Sequence, residues 1–198
     1  MDHNKILAFW NWFRQISNRL SLNLKDQDLL SELDYHIQNI GYFDWEIGPY
    51  SDDIFFLAIS PALDKNLLKQ TKKIISMAEN CPNWIFLASK PEKGWFEKWN
   101  MENEQNQTIE VDAGLWKYVL YEYENNVLEM DVFVDKIDGN QDIAYKAVDI
   151  ALTNLLGEEL YINLFENITV IQDVSKFDLG KSSFLSDLKE HLVKLNFL

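Results

Sequence analysis

Histidine, cysteine, glycine and proline are all scarce, numbering 3, 1, 7 and 4 in a chain of 198 residues. The single cysteine, Cys81, cannot close an internal disulfide, which fits a reducing cytosol. The histidines His3, His36 and His191 show none of the H-x-x-x-H spacing that sets two ligands on one helix face, so no metal is expected. No glycine falls in G-x-G-x-x-G, G-x-x-x-x-G-K-[ST] or G-x-S-x-G. That excludes the dinucleotide cradle, the phosphate loop and the nucleophile elbow, and no cofactor is expected. No apolar run approaches the roughly 18 residues of a membrane span. The opening MDHNKILAFWNWFRQ lacks a charged stretch followed by an apolar one and a small-residue cleavage site, so no secretory signal is expected.

Basic residues are also few, 18 against 32 acids, for a net charge of −14. The surplus is uneven. Residues 101–150 hold 12 acids and only Lys117, Lys136 and Lys146, a local charge of −9, whereas residues 51–100 come to +1. Such a field repels nucleic acid and anionic membranes and attracts cations or basic proteins, besides serving solubility.

Apolar residues at 47% and aromatics at 14% exclude disorder. Helical periodicity opens the chain, with Ile6, Phe9, Trp10, Phe13 and Leu20 on one stripe, Ile16 at its edge and Trp12 off it. A second helix runs from Asp26 as N-cap to Gly41, burying Leu30, Leu33, Ile37 and Ile40. Alternation then predicts a hairpin, Phe43 to Pro49 and Ile54 to Ser60. A helix over about Asp64 to Asn80, ended by Pro82, leads to Trp84-Ile85-Phe86-Leu87-Ala88, a strand expected to be buried on both faces. Cys81, between that helix and Pro82, reads as a packing residue.

After a polar and aromatic connection over 90–106, the order returns: a hairpin over 115–135, then a helix from about Gln141 to Leu156 stopped by Gly157. Further strands are expected at Leu160 to Phe165 and Ile168 to Asp173, and Ser183 is expected to cap a last helix with Leu185, Leu188, Leu192 and Leu195 on one face. The expectation is an α+β fold of two ββαβ units with antiparallel or mixed sheet, flanked by N-terminal helices and a C-terminal helix. The chain reads as a single globular unit over 1–198, or as internal halves 1–100 and 101–198.

Phe9-Trp10-Asn11-Trp12-Phe13, Trp45-Glu46-Ile47-Gly48 and Trp84-Ile85-Phe86-Leu87-Ala88 together resemble a family of uncharacterised bacterial proteins. That family opens with an FWxWF-like helix and carries an EIG strand and a tryptophan-led strand after a helix. The resemblance implies the fold and no activity.

Three stretches could carry chemistry. Asp135-Lys136-Ile137-Asp138-Gly139-Asn140-Gln141-Asp142 surrounds a glycine with oxygen ligands but misses the calcium-loop spacing, and reads as a turn and helix N-cap. Trp95, Phe96 and Trp99 stand at i, i+1 and i+4, the spacing of one helical turn pinned to the core. The third is YEYENNVLEMDVFVD, over 121–135. A two-residue turn at Asn125-Asn126 would set Glu124 opposite Val127, Tyr123 opposite Leu128 and Glu122 opposite Glu129. Val119, Tyr121, Tyr123, Leu128, Met130, Val132 and Val134 would then form the core face. Trp116, Tyr118, Leu120, Glu122 and Glu124 would share the outer face with Glu129, Asp131, Phe133 and Asp135. Paired carboxylates repel one another, and a basic partner would relieve that repulsion. Glu122, Glu124, Glu129, Asp131, Trp116 and Phe133 are therefore the expected partner-binding residues of a non-catalytic cytosolic protein with an immunity- or antitoxin-like role. The alternative is a small-molecule binding domain with an aromatic-lined cleft.

Overall fold

Helix α1 (His3–Leu22) starts where the Asp2 carboxylate accepts the Asn4 N–H, and its stripe of Ile6, Phe9, Trp10, Phe13, Ile16 and Leu20 is buried. These features come from a computed structural model, which describes residues 2–95, 97–103, 105–134, 137, 141–173, 175 and 179–198. The chain forms two compact units, Met1–Pro91 and Glu92–Leu198.

In the first unit, Asp26 caps helix α2 (Gln27–Ile40) by accepting the Leu29 N–H. The buried stripe of α2 is Leu29, Leu33 and Ile37, so it is turned by one position and leaves Leu30 and Ile40 half-buried. Strands β1 (Asp44–Ser51) and β2 (Ile54–Ser60) form the expected hairpin. Helix α3 (Lys65–Ile75), capped by Asp64, stops well short of Pro82. Its end tightens into i→i−3 bonds, Met77 N–H to Ile74 and Ala78 N–H to Ile75, while the Ser76 hydroxyl donates to the Lys73 carbonyl. Strand β3 (Trp84–Leu87) lies parallel to β2 in the order β1-β2-β3. It is therefore an edge strand, and Ile85, Phe86 and Leu87 are half-buried, not buried on both faces.

The second unit opens with a hairpin where a connection was expected: β4 (Lys98–Glu102) pairs with β5 (Thr108–Asp112). Strands β6 (Lys117–Tyr123) and β7 (Val127–Phe133) follow, then helix α4 (Gln141–Leu156). Gly157, at φ 80°, ends α4 by donating to the Thr153 carbonyl, and its own carbonyl starts the next helix by accepting the Tyr161 N–H. That helix, α5 (Glu158–Leu164), replaces the expected strand over 160–165, and strand β8 (Phe165–Ile171) begins directly after it. Ser183 does not cap a helix. With Phe184 it forms the short strand β9 (Ser183–Phe184), and α6 (Leu188–Lys194) starts after a turn of 3-10 helix. Leu185, Leu188 and Leu192 are buried, and Leu195 only in part.

Besides the two-stranded β4-β5 sheet, the second unit holds a four-stranded sheet in the order β8-β7-β6-β9, with β8 parallel to β7. Each unit thus contains a hairpin, a helix and a strand parallel to the hairpin's second strand, and each has its own sheet. The fold is α+β. The first core gathers Phe9, Trp10, Phe13, Leu33, Leu57 and Trp84, and the second gathers Trp116, Tyr118, Met130, Val132, Val148 and Leu188.

Candidate functional site

The β6–β7 hairpin does not pair as the sequence predicts. Glu124–Asn126 is a three-residue turn of 3-10 helix with Asn126 at φ 60°, and it shifts β6 by one residue against β7. Tyr123 faces Val127, Glu122 faces Leu128, Tyr121 faces Glu129 and Tyr118 faces Val132. Glu122 and Glu129 are not partners. The β7 half of the expected core face holds, because Leu128, Met130, Val132 and Val134 are all buried. The β6 half is largely reversed: Tyr118 is 1% exposed, whereas Tyr121 and Tyr123 are 39% and 53% exposed, and Val119 and Leu120 are both half-buried. A one-residue slip turns a whole strand over.

Two tyrosines thereby lie beside two carboxylates on the outer face. The Tyr121 Oη donates to Asp131 Oδ2 at 2.8 Å, reaching diagonally past its direct partner Glu129. That hydrogen bond, with some burial, raises the Tyr121 phenol above its ordinary value. Tyr123 stands one step toward the tip, where the charge of Glu129, with some burial, raises its phenol as well. Both tyrosines therefore remain hydrogen-bond donors through neutral pH. Glu122 and Glu124 are exposed, and Glu129 and Asp131 half-buried. β8 places Asn167 and Thr169 next to Glu129 and Asp131, and at the other side Lys117 Nζ lies 5.3 Å from the Phe184 ring centre. Asp135, expected on this face, is outside the described residues.

Trp116 and Phe133, expected on the outer face, are 1% and 5% exposed and cannot present a contact surface in this conformation. Trp116 packs edge-on against Trp99, ring centres 5.8 Å apart. Trp99 belongs to β4, which overturns the helical turn expected for Trp95, Phe96 and Trp99; Phe96 lies outside the described residues. The indole Nε1 atoms of Trp99 and Trp116 are shielded from solvent and have no hydrogen-bond partner among the described residues. Each such donor costs about 1–3 kcal/mol when left unpaired.

The histidines do not converge. His36 stacks on Trp12 at 4.1 Å, and burial lowers its pKa against an opposing effect of Glu32. His191 Nδ1 lies 2.7 Å from Tyr118 Oη, and burial together with the Asp187 charge pushes that phenol up to about 12. Among the described residues no group of three or more histidine, cysteine or acidic side chains could hold a metal ion. Of the oxygen-rich stretch, Asp135, Lys136, Asp138, Gly139 and Asn140 lie outside the described residues, while Gln141 and Asp142 open α4. Cys81 is buried, which raises its thiol pKa and keeps it protonated. Sequence reasoning missed one polar pair: Tyr161 on α5 donates from Oη to Asp149 Oδ1 on α4 at 2.5 Å.

No helix among the described residues is long and apolar enough to cross a membrane. Compared with family models, with curated proteins and with solved structures, the chain finds no match.

Proposed function

We propose that the chain is a non-catalytic, cytosolic interaction module that binds a basic protein through the outer face of the β6–β7 hairpin, in the manner of an immunity protein or antitoxin. The observation that carries this reading is the placing of exposed tyrosines beside carboxylates: Tyr121 donates to Asp131, and the Glu129 charge acts on Tyr123. Tyrosine supplies large contact area with little entropy to lose, and it is enriched at interface centres. Carboxylates beside it supply the attraction for lysine or arginine, and the exposed Glu124 adds charge at the tip, whereas the register turns Glu122, expected on this face, to the side of Tyr118 and Leu120. The same surplus of acids disfavours nucleic acid and anionic membranes as partners. Membership of the bacterial family suggested by FWNWF, WEIG and WIFLA adds no activity to this reading.

The partner surface differs from the sequence expectation in its source of affinity. Relief of a Glu122–Glu129 repulsion no longer enters, since those side chains are not cross-strand neighbours. The double change Glu129→Gln with Asp131→Asn tests the reading, because both amides keep an oxygen for the tyrosine hydroxyls while losing charge. Tagged wild type and variant are exposed to host extract at low salt and eluted on a salt gradient. Basic proteins held by the wild type should be bound at least roughly tenfold more weakly by the variant, with a shallower salt dependence. Elution of the same proteins at the same salt from both would leave the acids a role in solubility alone.

A further inference from the structure

The tryptophans of the two units differ in how their indole N–H groups are used. In the first unit Trp10 donates to the Ile74 carbonyl at 3.0 Å, Trp84 to the Ser17 carbonyl at 3.2 Å and Trp45 to the Asp34 carboxylate at 2.9 Å. In the second unit the buried Nε1 atoms of Trp99 and Trp116 have no acceptor among the described residues, although the two rings touch. Buried polar groups in folded proteins are nearly always paired, so two adjacent exceptions call for an acceptor that the described residues do not supply.

We propose that Trp99 and Trp116 form a receptor for a neutral oxygen acceptor, a carbonyl or hydroxyl carried on an otherwise apolar molecule. The surroundings decide the class. Met101, Val111 and Ala113 belong to the same buried cluster, and Trp95 packs against it, so the walls are apolar and aromatic. Lys98, on the same hairpin, is exposed and already paired with Asp112 at 2.8 Å. An anion would enter a segment carrying 12 acids without a countercharge, whereas a neutral oxygen needs only donors. Trp99 is partly exposed although its Nε1 is not, which brings one edge of this pair to the surface. The site is distinct from the acidic residues of the hairpin and deepens the small-molecule alternative expected from the sequence.

The test follows the seven indole N–H signals of the full chain, labelled at tryptophan, by nuclear magnetic resonance. N-methylacetamide should shift two of them together and saturably, the two that vanish in Trp99→Phe and Trp116→Phe, while the signals of Trp10 and Trp84 stay in place. Acetate at the same concentration should shift none. Trp99→Phe should weaken N-methylacetamide binding about fivefold, the loss of one net hydrogen bond. If Trp116→Phe does not fold, the Trp116 signal is identified in the wild type by its proximity to the Trp99 ring. Shifts that grow without saturation, shifts shared by all seven signals, or acetate binding as tightly would each overturn the proposal. So would a long-lived water on both N–H groups that N-methylacetamide does not displace.

Discussion

Asp149 illustrates how one side chain sets a pH dependence. Its carboxyl is drawn out of water between α4 and α5, and burial raises its pKa above the ordinary 3.8 against the opposing hydrogen bond from Tyr161. A carboxyl raised in the folded state binds its proton more tightly there than in the unfolded chain. Its contribution to stability is therefore complete below the unfolded value and is lost as pH rises through the folded value. As pH rises past that value, the buried carboxylate increasingly opposes folding. The change Asp149→Asn keeps an oxygen for the Tyr161 hydroxyl and removes the buried charge, so the variant should melt higher than the wild type near pH 7. Each kcal/mol gained corresponds to about 2–4 °C in a chain of this size, and the gain should shrink toward zero below about pH 4, where both states are protonated. Thermal melts at the two pH values decide the matter: a variant that melts lower at neutral pH would mean the carboxylate is stabilised by its charge. Nothing in the sequence announces this pair, because the run LYINLF reads as a strand and the helix that carries Tyr161 depends on the turn at Gly157.

The hairpin shows where strand patterning stops being informative. On β7 the apolar residues Leu128, Met130 and Val132 alternate with Glu129 and Asp131, which marks the core face, although Phe133 is buried on the acidic side at the strand's end. On β6 both alternations are apolar or aromatic, Tyr118 and Leu120 on one and Val119, Tyr121 and Tyr123 on the other, so alternation cannot choose between them. The turn chooses, and Asn125-Asn126 suits a two-residue loop as well as the end of a three-residue one. Helices fared better: α1 and α4 follow the sequence because a 3.6-residue period over four or more turns, together with Asp2 and Gly157 at the ends, leaves one burial face. β4 and β5 were missed because KWNME and TIEVD are five residues each and alternate only weakly. The unpaired tryptophan donors were invisible for a different reason, since pairing depends on tertiary neighbours. Asn126 gives the register a direct test. It is exposed and left-handed, a conformation that asparagine tolerates and glycine adopts freely. Asn126→Ala should destabilise by about 1–2 kcal/mol, and Asn126→Gly should be neutral or slightly stabilising, as read by denaturant midpoints. Equal stability of the two variants would show that the residue does not need a positive φ and that the turn is shorter.

Charge divides between the two units as unevenly as it does along the sequence. Up to Pro91 there are 9 basic and 11 acidic residues, a net of −2; from Glu92 onward there are 9 and 21, a net of −12. The hydrophobic cores divide at the same place, every member of one cluster preceding Glu92 and every member of the other following it. A segment with its own core and its own sheet meets the physical requirements for folding alone. Expression as two pieces, 1–91 and 92–198, should accordingly give two products that each melt cooperatively. The division of charge then makes a second demand. If the tyrosine and carboxylate face of β6–β7 is what holds a basic partner, the piece 92–198 should capture that partner with nearly the affinity of the full chain and lose it on a salt gradient, while 1–91 should capture nothing. Capture by the full chain alone, with both pieces folded, would count against the hairpin face as the binding surface.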